Sequence, residues 1–229
     1  AMLAELTEAV RSVAGAELHL LAEDSELTSI GELVGEGDRL RFLDERCNRD
    51  LLSEIRWTPE EGERTRDGLT LDNLELGRGD RAALQMLRSW RSLRLVRAWN
   101  GGRGFVRGSL QSITTSGAVG LVTMSGARPL DYLHGGRAVE RMWLVAQALG
   151  LALQPMTALP YMFARVFQGD GLGLDPSTTA ALQRLRAPYL RLFPGAAQTA
   201  EVLLFRISQA EPTPARALRR ELAEVLVVA

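Results

Sequence analysis

The sequence predicts an α+β fold with helices flanking one sheet, and three observations lead there. Segments with apolar residues at helical spacing predominate. Several short apolar or alternating runs, bounded by glycine or proline, read as strands. The 229 residues are 46% hydrophobic, enough to bury one substantial core.

Taken in order, Leu3, Leu6, Val10 and Val13 recur at helical spacing ahead of Gly15 in a C-cap position, and "ELHLLAE" supplies a strand. From Leu27 to Trp57 the pattern is helical, interrupted at Gly35 and Gly37 and rich in acids that belong at a surface. Thr58-Pro59-Glu60-Glu61 combines an N-cap, a proline at the first helical position and a glutamate at the third, the grammar of a capping box. Residues 62–80, "GERTRDGLTLDNLELGRGD", are mostly turn formers and long enough for a crossing loop or lid. One helix is predicted from Asp80 to Trp99, with Leu84, Leu87, Trp90 or Arg91, and Leu95 inward; Asn100-Gly101-Gly102 ends it.

"SGAVGLVTM" is the leading interior strand, closed by Gly126 and Pro129. A helix from Pro129 or Arg137 to Leu149 stops at Gly150, and "LALQP" reads as a short buried strand. Asp175 as N-cap and Pro176 at the first position open a helix that runs to Phe193. "EVLLFRIS" is the last strand, and "PARALRRELAEVLVV" a short helix or extended arm.

Cys47 is the single cysteine, so no internal disulfide forms; no charged segment followed by an apolar run opens the chain, and a cytoplasmic setting is expected. Ala1 ahead of Met2 reads as an added residue, and the chain is expected to be part of a longer protein. All 27 basic residues are arginine. Residues 1–80 hold 9 arginines against 20 acids and residues 81–229 hold 18 against 8. The near-neutral total argues against a dedicated nucleic-acid binder. Arg88, Arg91, Arg94 and Arg97, with Trp90 and Trp99, read as a solvated helix face or a contact to the acidic first third rather than as a nucleic-acid surface. His19, His134 and Cys47 are scattered and form no metal-ligand spacing. "GGRGFVRGS" misses the dinucleotide spacing by one residue.

From Met142 to Ala164 there is no charge, a span of about 23 residues and long enough for a membrane crossing. Gln147, Gln154, Thr157, Gly150, Pro155 and Pro160 interrupt it, so no membrane span is expected. The helix within it is instead expected to be buried on most of its circumference, which calls for a large core or a second subunit.

"GGRAVERMWLVAQALGLALQPMTA" resembles the nitroreductase superfamily, whose central helix ends in a glycine-rich step into a proline-containing flavin loop. "EVLLFRISQAEPTPARALRRELAEVL" is similar to that superfamily's last strand and arginine-bearing tail. The intermediate segments "LVGEGDRLRF", "SEIRWTPEEGERTRDGLTLDNLEL" and "LQPMTAL" resemble the duplicated, Acg-type branch and its relatives fused to a ThiF-type adenylating domain. The resemblance covers nearly the whole chain and implies a small, mostly antiparallel sheet flanked by helices around a buried central helix, in one domain over residues 1–229 with a C-terminal arm over 208–229. It implies FMN as cofactor and NAD(P)H-linked reduction of nitro or quinone-type acceptors, or sequestration of the flavin. An arginine-serine-arginine phosphate grip and a proline-serine-asparagine loop, usual at the start of that family, are missing. The chain therefore looks like the C-terminal half of a duplicated protein, expected to form a homodimer or to pair with an N-terminal half. The alternative is a non-catalytic scaffold half-domain of a ThiF fusion with an incomplete flavin site.

A flavin ring needs N–H donors near N5 and O4, and a proline-pinned turn of small residues presents them; the resemblance places that role on Pro155, Met156, Thr157 and Ala158, otherwise a plain strand-to-helix turn. A flavin phosphate needs fixed positive charge, which the same resemblance places on Arg216, Arg219 and Arg220; otherwise these are tail arginines balanced by Glu221 and Glu224. Gly135-Gly136-Arg137 opens the buried helix; its N–H groups could face an anion, but the two glycines are read as a close-packing step.

Overall fold

A computed structural model describes residues 2–74, 76–211 and 217–226. In chain order these form α1 (Met2–Arg11), β1 (Ala16–Leu21), α2 (Asp24–Leu43), α3 (Glu45–Ser53), β2 (Ile55–Arg56), α4 (Pro59–Thr65), β3 (Leu69–Thr70), α5 (Arg78–Leu87) and α6 (Trp90–Ala98). There follow α7 (Arg103–Thr114), β4 (Ala118–Ser125), α8 (Pro129–Ala148), β5 (Leu151–Pro155), α9 (Ala158–Phe167), α10 (Pro176–Leu192), a 3-10 turn over Pro194–Gln198, β6 (Thr199–Gln209) and α11 (Leu222–Val225). The chain divides into two compact units, residues 1–41 with 102–211 and residues 42–101 with 212–229.

The first unit holds a four-stranded antiparallel sheet in the order β1-β4-β6-β5, flanked by helices as the α+β reading predicts. Val119 and Leu121 of β4 point to one face, and Ala118, Val122 and Met124 to the other. Both faces are thus covered, which is why "AVGLVTM" is apolar at every position but Thr123 rather than alternating. On one face Leu6 and Val10 of α1, and Val13 just after it, pack with Ala138, Met142 and Ala146 of α8, and with Ala200, Leu203 and Phe205 of β6. On the other, Leu27, Ile30 and Val34 of α2 join Ile113 of α7, Leu159 and Phe163 of α9, and Leu182 and Tyr189 of α10.

Glycine sets two of these approaches. Helix α2 runs unbroken through Gly35 and Gly37, which correct the interruptions expected there. A Cβ on Gly35 would stand 2.7 Å from the Val106 carbonyl oxygen, and one on Gly37 would stand 2.9 Å from Leu159 Cδ1. These glycines let α7 and α9 close on α2, a gain that outweighs their poor helix propensity, about 1 kcal/mol each.

Helix α8 requires a second correction. Its buried stripe is Asp131, Gly135, Ala138, Met142 and Ala146, one face at i, i+4, i+7 spacing. Leu130, Leu133 and Leu144 are 54%, 63% and 65% exposed on other faces. The helix is not buried around most of its circumference within the chain, because the sheet and α1 cover only one side of an outer layer. Gly135 packs against Val202 as expected of a close-packing step, whereas Gly136 meets nothing. The uncharged stretch is not one helix: Gly150, at φ +69°, ends α8, and β5 and α9 follow. Among the described residues no helix is long and apolar enough to cross a membrane. Among the described residues strand β5 pairs only with β6, and it is mostly exposed, so "LALQP" is an edge strand rather than a buried one.

In the second unit Asp44 caps α3 by accepting from the Cys47 amide, and Cys47, Ile55, Leu87 and Leu93 are buried. Thr58 caps α4 by accepting from the Glu61 amide at 3.2 Å, while Glu61 accepts at 2.8 Å from the Trp57 amide rather than from Thr58. The described residues within 62–80 include the end of α4, strand β3 paired in parallel with β2, and the start of α5. The single helix expected from Asp80 to Trp99 is two, because Ser89 takes the N-cap position and accepts from Ser92. The restart rotates Leu93 inward and leaves Leu95 58% exposed.

Candidate functional site

The predicted flavin-facing turn lies in the first unit, where β5 hands the chain to α9. Gln154 is paired with Arg206 and Pro155 with Phe205 in the ladder to β6. The Met156 amide donates to the Leu204 carbonyl at 2.7 Å, so the connection is only Met156 and Thr157. Pro155 is exposed and Met156, Thr157 and Ala158 are half-buried, with Met156 packed on the core beneath. The structure sorts the four residues. Pro155 has no N–H and the sheet uses that of Met156. The Thr157 and Ala158 amides have no acceptor among the described residues, as expected at the start of a helix. They lie at the positive end of α9, where partial negative charge is favoured.

Two polar pairs that sequence reading missed lie in the same unit, and the first braces this turn. Arg206 donates to Gln154 Oε1 at 2.6 Å and to the Ser112 carbonyl at 2.7 Å, tying β5 and β6 to α7; partial burial lowers its pKa. Ser109 donates to Asp38 Oδ2 at 2.7 Å. Burial raises the Asp38 pKa against the opposing pull of Ser109 and Arg41. The visible signal for the first pair was an arginine set inside the apolar strand "EVLLFRIS".

A further polar cluster lies at the other end of the same sheet face. Arg186 of α10 pairs with Glu201 of β6 at 2.5 Å and stands 5.0, 5.6 and 5.5 Å from the ring centroids of Phe163, Phe167 and Tyr189. Glu201 is beside Thr123 in the ladder, and Thr123 Oγ1 is 2.9 Å from His19 Nε2. The Tyr189 hydroxyl and Glu201 Oε2 are buried, and neither has a hydrogen-bond partner among the described residues. Burial, then the Glu201 carboxylate, push the Tyr189 phenol well above its usual value. Burial also raises Glu201 despite Arg186.

Raised carboxyl pKa values give a signed prediction. A carboxyl that binds its proton more tightly in the fold than in the unfolded chain favours the fold at low pH. That contribution disappears as pH rises from the ordinary carboxylate value through the raised one. Stability should therefore fall as pH climbs from about 5 toward neutrality, by linkage through Glu201 and Asp38. Thermal unfolding of the wild type and of Glu201→Gln across this range checks it: the variant should show a shallower slope, and equal slopes would remove Glu201 from the account.

The predicted phosphate-binding arginines lie in the second unit. Arg219 donates to the Ala217 and Leu218 carbonyls, and its own carbonyl accepts from Arg66 Nε at 2.7 Å. Arg220 reaches Glu224 at 3.4 Å in the i,i+4 pairing that describes a balanced tail. Arg66 also pairs with Glu221 at 2.6 Å. Arg216 lies outside the described residues. In the basic stretch Arg88 stacks on Trp57 at 4.5 Å, Arg91 and Arg94 are exposed, and Trp99 is 81% exposed. Among the described residues no group of three histidine, cysteine, aspartate or glutamate side chains is arranged to hold a metal ion.

The chain is thus an α+β protein whose sheet lies between two helical layers and carries an amide-bearing turn at its edge. It is similar to the uncharacterized protein MT1398 of Mycobacterium tuberculosis (strain CDC 1551 / Oshkosh), with 30% identity over 217 residues, or 94% of this chain. The chain spans only 30% of that protein's length. Among solved structures, a nitroreductase-like family protein from Bacillus cereus overlays all of this chain and 83% of its own, with a TM-score of 0.47 and 11% identity. No protein-family model matches.

Proposed function

We propose that this chain is a nitroreductase-like flavin domain, holding FMN for NAD(P)H-linked reduction of nitro or quinone-type acceptors or sequestering it. The observation that carries the reading is the pair of free amides, Thr157 and Ala158, at a half-buried helix start directly after a proline-ended edge strand. The motif order that resembles the nitroreductases supports it. The donor set suits the electron-rich edge of a flavin ring, and Met156 beside it supplies an apolar floor. A bound flavin would supply two-electron redox chemistry; the chain's part is to hold the ring edge and favour the charge that builds there. Residues 62–80 are the proposed lid, and a second copy or an upstream half-domain is the proposed partner.

A second reading, a scaffold half-domain without its own flavin, is favoured by the tail: Arg220 is engaged by Glu224 and Arg219 by its own segment's carbonyls. Thr157→Pro separates the two. Thr157 sits at φ −78°, within the range proline adopts, so the variant removes one N–H while tolerating the local backbone. Flavin affinity should drop about tenfold, the equivalent of about 1.4 kcal/mol, with an unchanged circular dichroism spectrum. Unaltered affinity would take the turn out of the site, and absence of binding in both proteins would support the scaffold.

A further inference from the structure

Helix α8 carries His134, Arg137 and Arg141 at a spacing that sets all three along one side of the helix. They overhang a notch of about 270 Å³ completed by Ser12, Val13 and Ala14, just after α1. Arg141 donates to Ser12 Oγ at 2.9 Å, which fixes its guanidinium over the notch. Arg137 lies 3.5 Å from His134 Nδ1, within reach to donate to that nitrogen, which holds its guanidinium beside the imidazole. Neither arginine has a carboxylate partner among the described residues, although Glu140 lies between them in sequence. Arg39, Arg128 and Arg186 of this unit, by contrast, pair with Glu36, Asp131 and Glu201.

We infer that this notch binds a phosphate or diphosphate group of a small soluble molecule. Two guanidinium groups provide planar forks for a tetrahedral oxyanion. The carbonyl end of α1 opposes this with a partial negative charge of about half a unit, less than the two full charges above it. Asp131, which His134 influences through space, is already committed to Arg128, whose guanidinium lies 3.0 Å away. The notch lies on the α1 and α8 side of the sheet, opposite the core on which Met156 packs.

Calorimetric titration of the full chain with inorganic pyrophosphate, and separately with ADP, tests the inference. Saturable binding of both is expected, weakened at least tenfold in Arg137→Gln/Arg141→Gln, weakened less in Ser12→Ala and unchanged in Thr157→Pro. Equal affinities would make the diphosphate group the whole determinant, and tighter ADP would add contacts from the nucleoside; either result supports the site. Both arginines are exposed, so the double variant should keep the wild-type unfolding temperature. Absence of binding, or binding that the double arginine variant leaves intact, would overturn the inference. Loss of pyrophosphate binding in Thr157→Pro would show that the anion is held at the turn instead.

Discussion

Arg186→Leu should destabilise the protein by about 3–5 kcal/mol at neutral pH, because it strands the Glu201 carboxylate in an apolar surround. Arg186 and Glu201 side chains are 18% and 9% exposed, so water cannot take the guanidinium's place. Three aromatic rings around Arg186 deepen the loss, since their faces also attract the cation. Two further variants make the explanation specific. Arg186→Leu/Glu201→Leu should recover most of the stability, because the desolvation cost of the pair is removed with the pair. Tyr189→Phe should be neutral or slightly stabilising, because it deletes a buried hydroxyl without a partner. Urea unfolding of the four proteins decides the matter. A double variant no more stable than Arg186→Leu would mean that packing of the long side chain, not charge, is what the fold loses.

Phe205→Ala should cost about 3–5 kcal/mol, the usual range for emptying a fully buried aromatic site. The ring lies over Gly120, where a Cβ would come within 2.3 Å of it, so Gly120→Ala should cost about 1–3 kcal/mol through overpacking. Together the two changes should cost less than their sum, since the new methyl enters the space the ring vacates. Additivity within about 0.5 kcal/mol would show that the two sites do not share that space. The pair matters to the site because Phe205 is also the ladder partner of Pro155. Loss of the ring should therefore loosen the turn as well as the core.

The elements of the sheet were legible in the sequence because their apolar runs end at residues with restricted or special backbone geometry. Gly15, Gly126 and Gly150 all adopt positive φ where the strands and helices were expected to stop. Helix α7 went unread because "RGFVRGSLQSIT" contains two glycines and lacks a capping side chain; it is stabilised by packing on α2, which no local pattern reports. For the same reason Gly35 and Gly37 looked like breaks when they are contact points. The break between α5 and α6 depended on one serine whose cap competes with helix continuation, a difference of about 1 kcal/mol.

At the candidate site, the sequence indicated the turn, but the allocation of its amides required the ladder register. Once Met156 is known to bond Leu204, only Thr157 and Ala158 remain as donors. Asp38 with Ser109 and Gln154 with Arg206 are pairs between distant segments, and a single sequence carries no signal of their proximity.

The most direct test is fluorescence titration of FMN with the purified chain and with Thr157→Pro, alongside size-exclusion chromatography at each protein concentration. Saturable quenching, stronger where the protein elutes as a paired species and reduced in the variant, is the outcome predicted here. Flavin emission unaffected at every concentration, including those at which pairs form, would contradict the assignment of the turn to a flavin.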